Sequence, residues 1–258
     1  MDLGIHGKTA LVCAGSKGLG YGCAEALAAA GVNLILNART EGPLEEAAER
    51  LRRHGVEVRT VAADIATEEG QRTVLAVAGE VDILVNNAGG PPPGVWSDWG
   101  RADFQKALDA NMLAPIAMMT AIMPKMIEKG WGRVVNITSQ SVRAPIAQLG
   151  LSNAARTGLT GYVAGTSRQV APHGVIVNNL LPGTHATARS ESLDKGRAAR
   201  EGVDEAEARR RSEAEIPAGH YGDAGDFGAI CAFLCSQQAR FIVGQNILVD
   251  GGNVNLTM

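Results

Sequence analysis

The chain has 258 residues, 45% of them hydrophobic and 20% charged, with a formal net charge of −3. That balance describes an ordinary globule with an apolar interior and gives no reason to expect nucleic acid or an anionic membrane as a partner. Four cysteines, Cys13, Cys23, Cys231 and Cys235, are too few and too dispersed for a disulfide framework. No Cys/His group completes a metal site around them, so they read as structural thiols.

The opening stretch MDLGIHGKTALV lacks the basic start, apolar run and cleavage site of a signal peptide. No apolar run approaches the ~18 to 20 residues needed to span a bilayer. The cytoplasm is the expected location. Residues 9–14 (TALVCA) then read as a buried strand, and 18–31 as a helix closed by glycine. A second strand follows at 32–38, and an amphipathic helix at 43–55. Further strands are expected at 56–63 and 81–89, with a helix at 67–78 between them, and then at 131–138, 173–183 and 246–252. Continuous apolar strands alternating with helices imply a parallel sheet covered on both faces. The expected fold class is α/β, a single doubly wound, Rossmann-type domain over residues 1–258 with roughly seven strands. One stretch breaks the rhythm: residues 188–216 are densely charged and almost without apolar positions. They read as a solvated helical excursion, a mobile flap over the site, or both.

Between the first strand and its helix, Gly15, Gly18 and Gly20 would let the backbone approach a pyrophosphate at the helix N-terminus, where open N–H groups and the dipole favour an anion. An acid at the end of the second strand would hydrogen-bond a ribose and repel a 2′-phosphate. Here that place reads Ala38, Arg39, Thr40, and Arg39 and Lys17 supply positive charge instead. NADP(H) is therefore favoured over NAD(H). The competing reading pairs Arg39 with a glutamate on the following helix.

Several ordered motifs together resemble the short-chain dehydrogenase/reductase family over essentially the full length. They are CAGSKGLG (13–20), Asp64 in AADIAT, NNAG (86–89), Asn111, Ser139 in NITSQS, LLPGTHAT (180–187) and GQNILVDGG (244–252). The chain is most similar to members called 3-oxoacyl carrier-protein reductases. The resemblance implies that Gly15, Ser16, Lys17, Gly18, Leu19 and Gly20 cradle the cofactor, that Asp64 and Ile65 flank its adenine, and that Asn86, Asn87, Ala88 and Gly89 line it. Pro182, Gly183 and Thr184 belong to the same cofactor set. In the family pattern T-G-x-x-x-G-x-G, Ala14 stands where a glycine is usual, and Gly15 is expected to supply the lost flexibility one place on.

At the reacting end the resemblance assigns Ser139 and Asn111 to the family's serine and asparagine. The tyrosine and lysine, thirteen and seventeen residues after the serine in the family, fall on Ser152 and Arg156. Tyr162, nearly three helical turns downstream, cannot stand in for the phenol. A phenol with a pKa near ~10 is readily poised as an acid/base, whereas an aliphatic hydroxyl starts far higher. Arg156 stays charged and offers a donor fork for ribose hydroxyls, but does not relay a proton as an ammonium does. The proton would come from a bound water or the ribose with Ser139 and Ser152 orienting the carbonyl, or from His185 lying over the pocket, or the substrate would need little acid help. Arg143, Gln140 and Gln148 fall where the family lines its substrate pocket, and Arg143 would hold a carboxylate or phosphate or else form a surface salt bridge.

The leading expectation is an NADP(H)-dependent oxidoreductase acting on a small-molecule carbonyl or alcohol. A nucleotide-binding protein without turnover is the alternative, and a non-redox elimination enzyme ranks below it. The family further implies a homodimer or homotetramer, with helices at 100–129 and 149–171 on subunit faces and the C-terminal DGGNVNLTM near another subunit.

Overall fold

A computed structural model describes residues 2–256 of the protein. Its sheet has seven strands, β1 (Thr9–Val12), β2 (Asn33–Ala38), β3 (Val58–Ala62), β4 (Ile83–Asn86), β5 (Gly132–Ile137), β6 (Val175–Pro182) and β7 (Asn246–Val249). Every pairing is parallel, in the order β3-β2-β1-β4-β5-β6-β7. The chain winds outward from β1 in one direction and from β4 in the other, so the carboxyl ends of β1 and β4 flank a crevice where ligands bind in such sheets.

The helices are α1 (Gly18–Ala29), α2 (Glu41–Arg52), α3 (Glu68–Ala78), α4 (Arg101–Leu108), α5 (Ala114–Glu128), α6 (Gly150–Val170), α7 (Ala188–Glu201), α8 (Glu205–Ala214) and α9 (Ala224–Cys235). One face of the sheet is covered by α1, α2 and α9 through Leu27, Leu44, Leu51 and Phe227. The other is covered by α3, α5 and α6 through Val74, Met118, Met126 and Val163. Strands buried on both faces are what their continuous apolar runs require. The strands are shorter than those runs, because the chain turns off the sheet at Ala14 and after Asn86.

The helix expected over 100–129 carries a π turn at Asp109–Leu113 between α4 and α5. This combined run, Arg101–Glu128, is by length and mean hydropathy alone long and apolar enough to cross a bilayer, contrary to the sequence reading, and 44% of its most apolar window is buried inside the fold. The charged excursion folds as two helices, not one. Gly202, at φ +67° in the left-handed region, ends α7 before α8 begins. Arg197 ties them by donating to Ser212 of α8 at 3.0 Å and to Glu215 just past its end, and Tyr221 donates to buried Asp194 at 2.6 Å.

Helices α1 and α9 approach until their backbones touch. A Cβ on Gly22 would fall on the Ala224 carbonyl oxygen, and one on Gly228 would fall on that of Gly22. All four cysteines are buried. Burial pushes the Cys13 thiol up to about 12, and among the described residues no His/Cys/Asp/Glu group is arranged for a metal.

An in-register line of asparagines crosses four strands. Asn86 pairs with Asn136, Asn136 with Asn179, and Asn179 with Asn246. Each side-chain amide donates to the next, at 2.9, 3.2 and 2.8 Å. Within an apolar sheet, each such amide needs the next one as partner.

Candidate active site

The turn after β1 is held tightly. Cys13 N–H donates to the Val85 carbonyl at 3.0 Å and Gly15 N–H to that of Asn37 at 3.0 Å. Ala14 between them takes φ +48°, the one non-glycine in the left-handed region among the described residues. Ala14 therefore carries the unusual backbone itself, and Gly15 does not relieve it. The reason is that the next amide is already committed to β2. Gly18 takes φ +57°, and a Cβ on Gly20 would fall on the Ala14 carbonyl and 2.7 Å from Asn87 Nδ2. Glycine at 20 is thus a packing requirement.

Helix α1 opens at Lys17 with no side-chain cap and no acid in its first turn. Its free N–H groups face the crevice side of the sheet with nothing to neutralise the dipole. Lys17 and Arg39 are exposed, and among the described residues neither forms an ion pair. The expected alternative, Arg39 on a glutamate of α2, is not formed. Ser16 and Leu19 lie half-buried in the same turn. Exposed Asp64 holds its own turn by accepting from Ala66 N–H at 3.0 Å, and Ile65 is buried beneath it. A dinucleotide phosphate fits this cradle: close backbone, open amides and two uncommitted cations converge, and no carboxylate opposes them.

Asn86 does not line the crevice with its side chain. It is 2% exposed and committed to Asn136 and the Pro115 carbonyl. Asn87 stands in the crevice wall instead, 3.5 Å from the Ala14 carbonyl, followed by Ala88 and Gly89. On the far side, Gly183 N–H donates to Val249, Pro182 and Thr184 flank it half-buried, and Thr187 packs 3.5 Å from where a Cβ on Gly18 would be.

Ser139 leaves β5 half-buried, its hydroxyl accepting from Ser141 N–H at 3.1 Å. Ser152 and Arg156 lie one turn apart on the same face of α6, both buried. Ser152 Oγ has no hydrogen-bond partner among the described residues. Arg156 is turned into the strand ends. Nη1 donates to the carbonyls of Ile137 (2.8 Å) and Thr138 (2.7 Å), and Nη2 to that of Ala88 (3.4 Å). Burial first, then the positive charge of Arg189, lowers its pKa to about 10, so it remains charged at neutral pH.

Asn111 sits in the π turn, 4% exposed, with Nδ2 on the Ala107 carbonyl at 3.4 Å and Oδ1 unpaired. Such bulges often mark functional positions, because they turn one side chain off the regular helical face. Asn111 and Gly89 line a recess of about 320 Å³ with Pro91, Lys106 and Leu151.

His185 does not lie over the crevice. Its ring is 5% exposed, stands edge-on to core Phe227 at 5.1 Å, and has Nδ1 against the Gly183 carbonyl at 3.1 Å. Desolvation lowers its pKa, which leaves a neutral, packed histidine. Gln140 is 8% exposed and accepts from Asn253 at 3.3 Å, so it anchors the C-terminal segment. Arg143 and Gln148 are exposed, Arg143 without an ion pair among the described residues, and Tyr162 is exposed on α6. Of the C-terminal stretch expected near a partner, residues 257–258 lie outside the described residues. Sequence reasoning missed Arg189, whose Nη2 donates to the Pro91 carbonyl at 2.9 Å across the crevice. Its only sequence signal was a cation just after the LLPGTHAT motif.

Comparison with known proteins places this geometry. The family described as short chain dehydrogenase matches residues 8–198. The 3-oxoacyl-[acyl-carrier-protein] reductase FabG of Aquifex aeolicus is 29% identical, covering 98% of this chain and 99% of that protein. D-beta-hydroxybutyrate dehydrogenase of Cupriavidus necator is 31% identical over 96% of this chain and 98% of its own length. Among solved structures, L-sorbose reductase from Gluconobacter frateurii, complexed with NADPH and L-sorbose, superposes with a TM-score of 0.94 at 28% identity, covering 99% of this chain and 100% of that one.

Proposed function

The chain belongs to the short-chain dehydrogenase family, and on that footing we propose that it is an NADP(H)-dependent oxidoreductase of a small carbonyl or alcohol substrate, with an altered proton-handling site. The observation that carries this reading is the uncapped N-terminus of α1 beside Lys17 and Arg39, two cations without a carboxylate partner. The NADPH complex of the sorbose reductase relative supports it.

When bound, the cofactor supplies the hydride that reduces a carbonyl carbon. Gly15, Ser16, Lys17, Gly18, Leu19 and Gly20 bind its pyrophosphate, Arg39 and Lys17 its 2′-phosphate, and Asp64 and Ile65 its adenine end. Asn87, Ala88, Gly89, Pro182, Gly183 and Thr184 complete the walls. Ser139 and Ser152 donate hydrogen bonds that orient the carbonyl oxygen. Neither hydroxyl is acidic enough to give up its own proton readily, so water reaching Ser152 supplies it. Arg156 keeps Nε–H and one Nη2–H beyond its three carbonyl bonds. Those two donors would hold the ribose hydroxyls, while Asn111 marks the recess floor. The α7–α8 excursion would close over this mouth.

A second reading is favoured by one observation. Arg156 spends most of its fork on backbone, and Ser152 offers no phenol, which suits a nucleotide-binding protein without turnover.

Titration of NADPH and NADH, followed by nicotinamide fluorescence, tests the proposal together with NADPH consumption over a carbonyl panel. The expected result is micromolar NADPH binding, NADH weaker by about tenfold or more, and loss of that margin in Arg39→Leu. Binding of neither nucleotide overturns the reading. Binding without consumption by any carbonyl establishes the second one.

A further inference from the structure

Two stretches on opposite sides of the crevice have almost no anchors of their own, and one side chain joins them. The first is the lip Gly89–Pro93 after β4. Pro91, Pro92 and Pro93 have no N–H to give. Among the described residues the lip forms a single hydrogen bond, accepted by the Pro91 carbonyl from Arg189 Nη2 at 2.9 Å.

The second is the excursion. Its buried apolar side chains, Ala198 and Ala208, join neither of the clusters on the two sheet faces. Its ion pairs run among its own arginines and glutamates. Its base is formed by residues 184–187 and 215–222. Beyond that base, Ala188–Ala214 form one hydrogen bond to the rest of the fold, and it is the same bond to Pro91. At the base, Gly222 N–H donates to the Thr184 carbonyl at 3.0 Å, and the Gly222 carbonyl accepts from Ala186 N–H at 2.9 Å. That pairing fixes both limbs at one point and leaves the body to swing about it. Thr187 lies against Gly18 at the opening of α1, so the excursion crosses from the α1 side of the crevice to the β4 side. Arg189 is exposed, and a region with so few buried apolar contacts opens at little cost.

We propose that Arg189 is a positioning residue: its bond to Pro91 latches the excursion across the crevice, and nucleotide enters and leaves only when the latch is open. The inference rests on the reductase reading above and adds the gate to its site. Arg189 does not line the recess of about 320 Å³, but Gly89, Pro91 and Pro92 do, so the same bond sets where that wall stands. Release of Arg189 frees the wall and the excursion together.

The test uses the full chain. NADPH dissociation is followed by nicotinamide fluorescence in stopped flow, after mixing the complex with excess NADP⁺, for the wild type, Arg189→Met and Arg189→Lys. Tryptic cleavage after Lys195, Arg200 and Arg209 is timed in the same proteins without nucleotide, and thermal melts show that each is folded. Arg189→Met is expected to speed both dissociation and cleavage by about tenfold at an unchanged melting midpoint. Arg189→Lys, which still offers a donor, recovers part of each effect. Equal dissociation rates in the wild type and Arg189→Met overturn the proposal. Faster dissociation with cleavage unchanged overturns it too, by assigning Arg189 to the cofactor itself. If NADPH does not bind at all, the function proposed above fails, while the cleavage rates still decide whether the latch exists.

Discussion

The Arg156 guanidinium donates to the Thr138 carbonyl at 2.7 Å and so ties α6 to the carboxyl end of β5. The same nitrogen holds Ile137, and its neighbour reaches Ala88 at the end of β4. One side chain thus fixes the spacing of two strand ends that bound the crevice. Arg156→Met leaves these carbonyls without their charged donor and is expected to lower stability by about 2–3 kcal/mol. Equilibrium urea denaturation reads this as a lower midpoint at unchanged slope. An unchanged midpoint would show that the tie does not hold the strands.

Ala14 sits in a region that costs a non-glycine residue about 1–2 kcal/mol. Ala14→Gly removes that cost but loosens the unfolded chain by roughly 0.4–1 kcal/mol. The expected net gain is up to about 1 kcal/mol in a urea titration, with NADPH affinity unchanged or improved. A destabilised variant would mean that the alanine methyl packs usefully in the turn.

Ser152→Tyr places a phenol where the site has only an aliphatic hydroxyl. With Arg156 one turn away to lower its pKa, kcat for carbonyl reduction is expected to rise by about 10²-fold. Its pH profile should gain an alkaline limb that the wild type lacks. The check is kcat against pH for both proteins, beside Ser152→Ala, which should show neither effect.

Asn136 is bonded on both sides within the sheet, to Asn86 and to Asn179. Asn136→Leu leaves one donor and one acceptor of its neighbours buried and unpaired, at about 1–3 kcal/mol each. The expected loss is therefore at least as large as for Arg156→Met, about 2–6 kcal/mol. The double variant Asn136→Leu/Asn179→Leu should lose less than the sum of the singles, since the pair shares one bond.

The Tyr221 phenol is pushed up to about 12, by burial first and then by its bond to Asp194. An unfolded tyrosine titrates near ~10. Between those two values the unfolded chain has lost a proton that the native chain keeps, so stability is full below about 10 and falls as pH rises through about 12. Tyr221→Phe should flatten that fall. Cys13, raised to about 12 from 9.0, adds a slope that begins lower, and the variant should leave it. Urea midpoints between about pH 8 and 12 separate the two.

Much of the architecture could be read from the chain because both of its signals are local. The runs TALV, NLIL and ILVN are uniformly apolar and their helices periodic, and each fell within a few residues of its strand or helix. The glycine loop was legible for the same reason. What stayed hidden depends on register or on distant partners. No local pattern shows that Asn86, Asn136, Asn179 and Asn246 share one line, since a one-residue slip in any strand would scatter them. The π turn at Asp109–Leu113 lies inside a segment of regular helical composition. The spacing of Arg156 from Ser139 was visible in the sequence, but the three carbonyls that take most of its fork were not. His185 read as an acid because Phe227, which holds it away from the crevice, is 42 residues later in the chain.

The contact of α1 with α9 joins two segments far apart in the chain. The helix whose N-terminus opens on the crevice is made well before the surface it rests on. Gly183 likewise leans on Asp250, and β7 completes the sheet only after α9. A growing chain can therefore form its central strands early while the crevice waits for α9 and β7. Damage to α9 or β7 would be felt first as loss of support beneath the far-off N-terminus of α1.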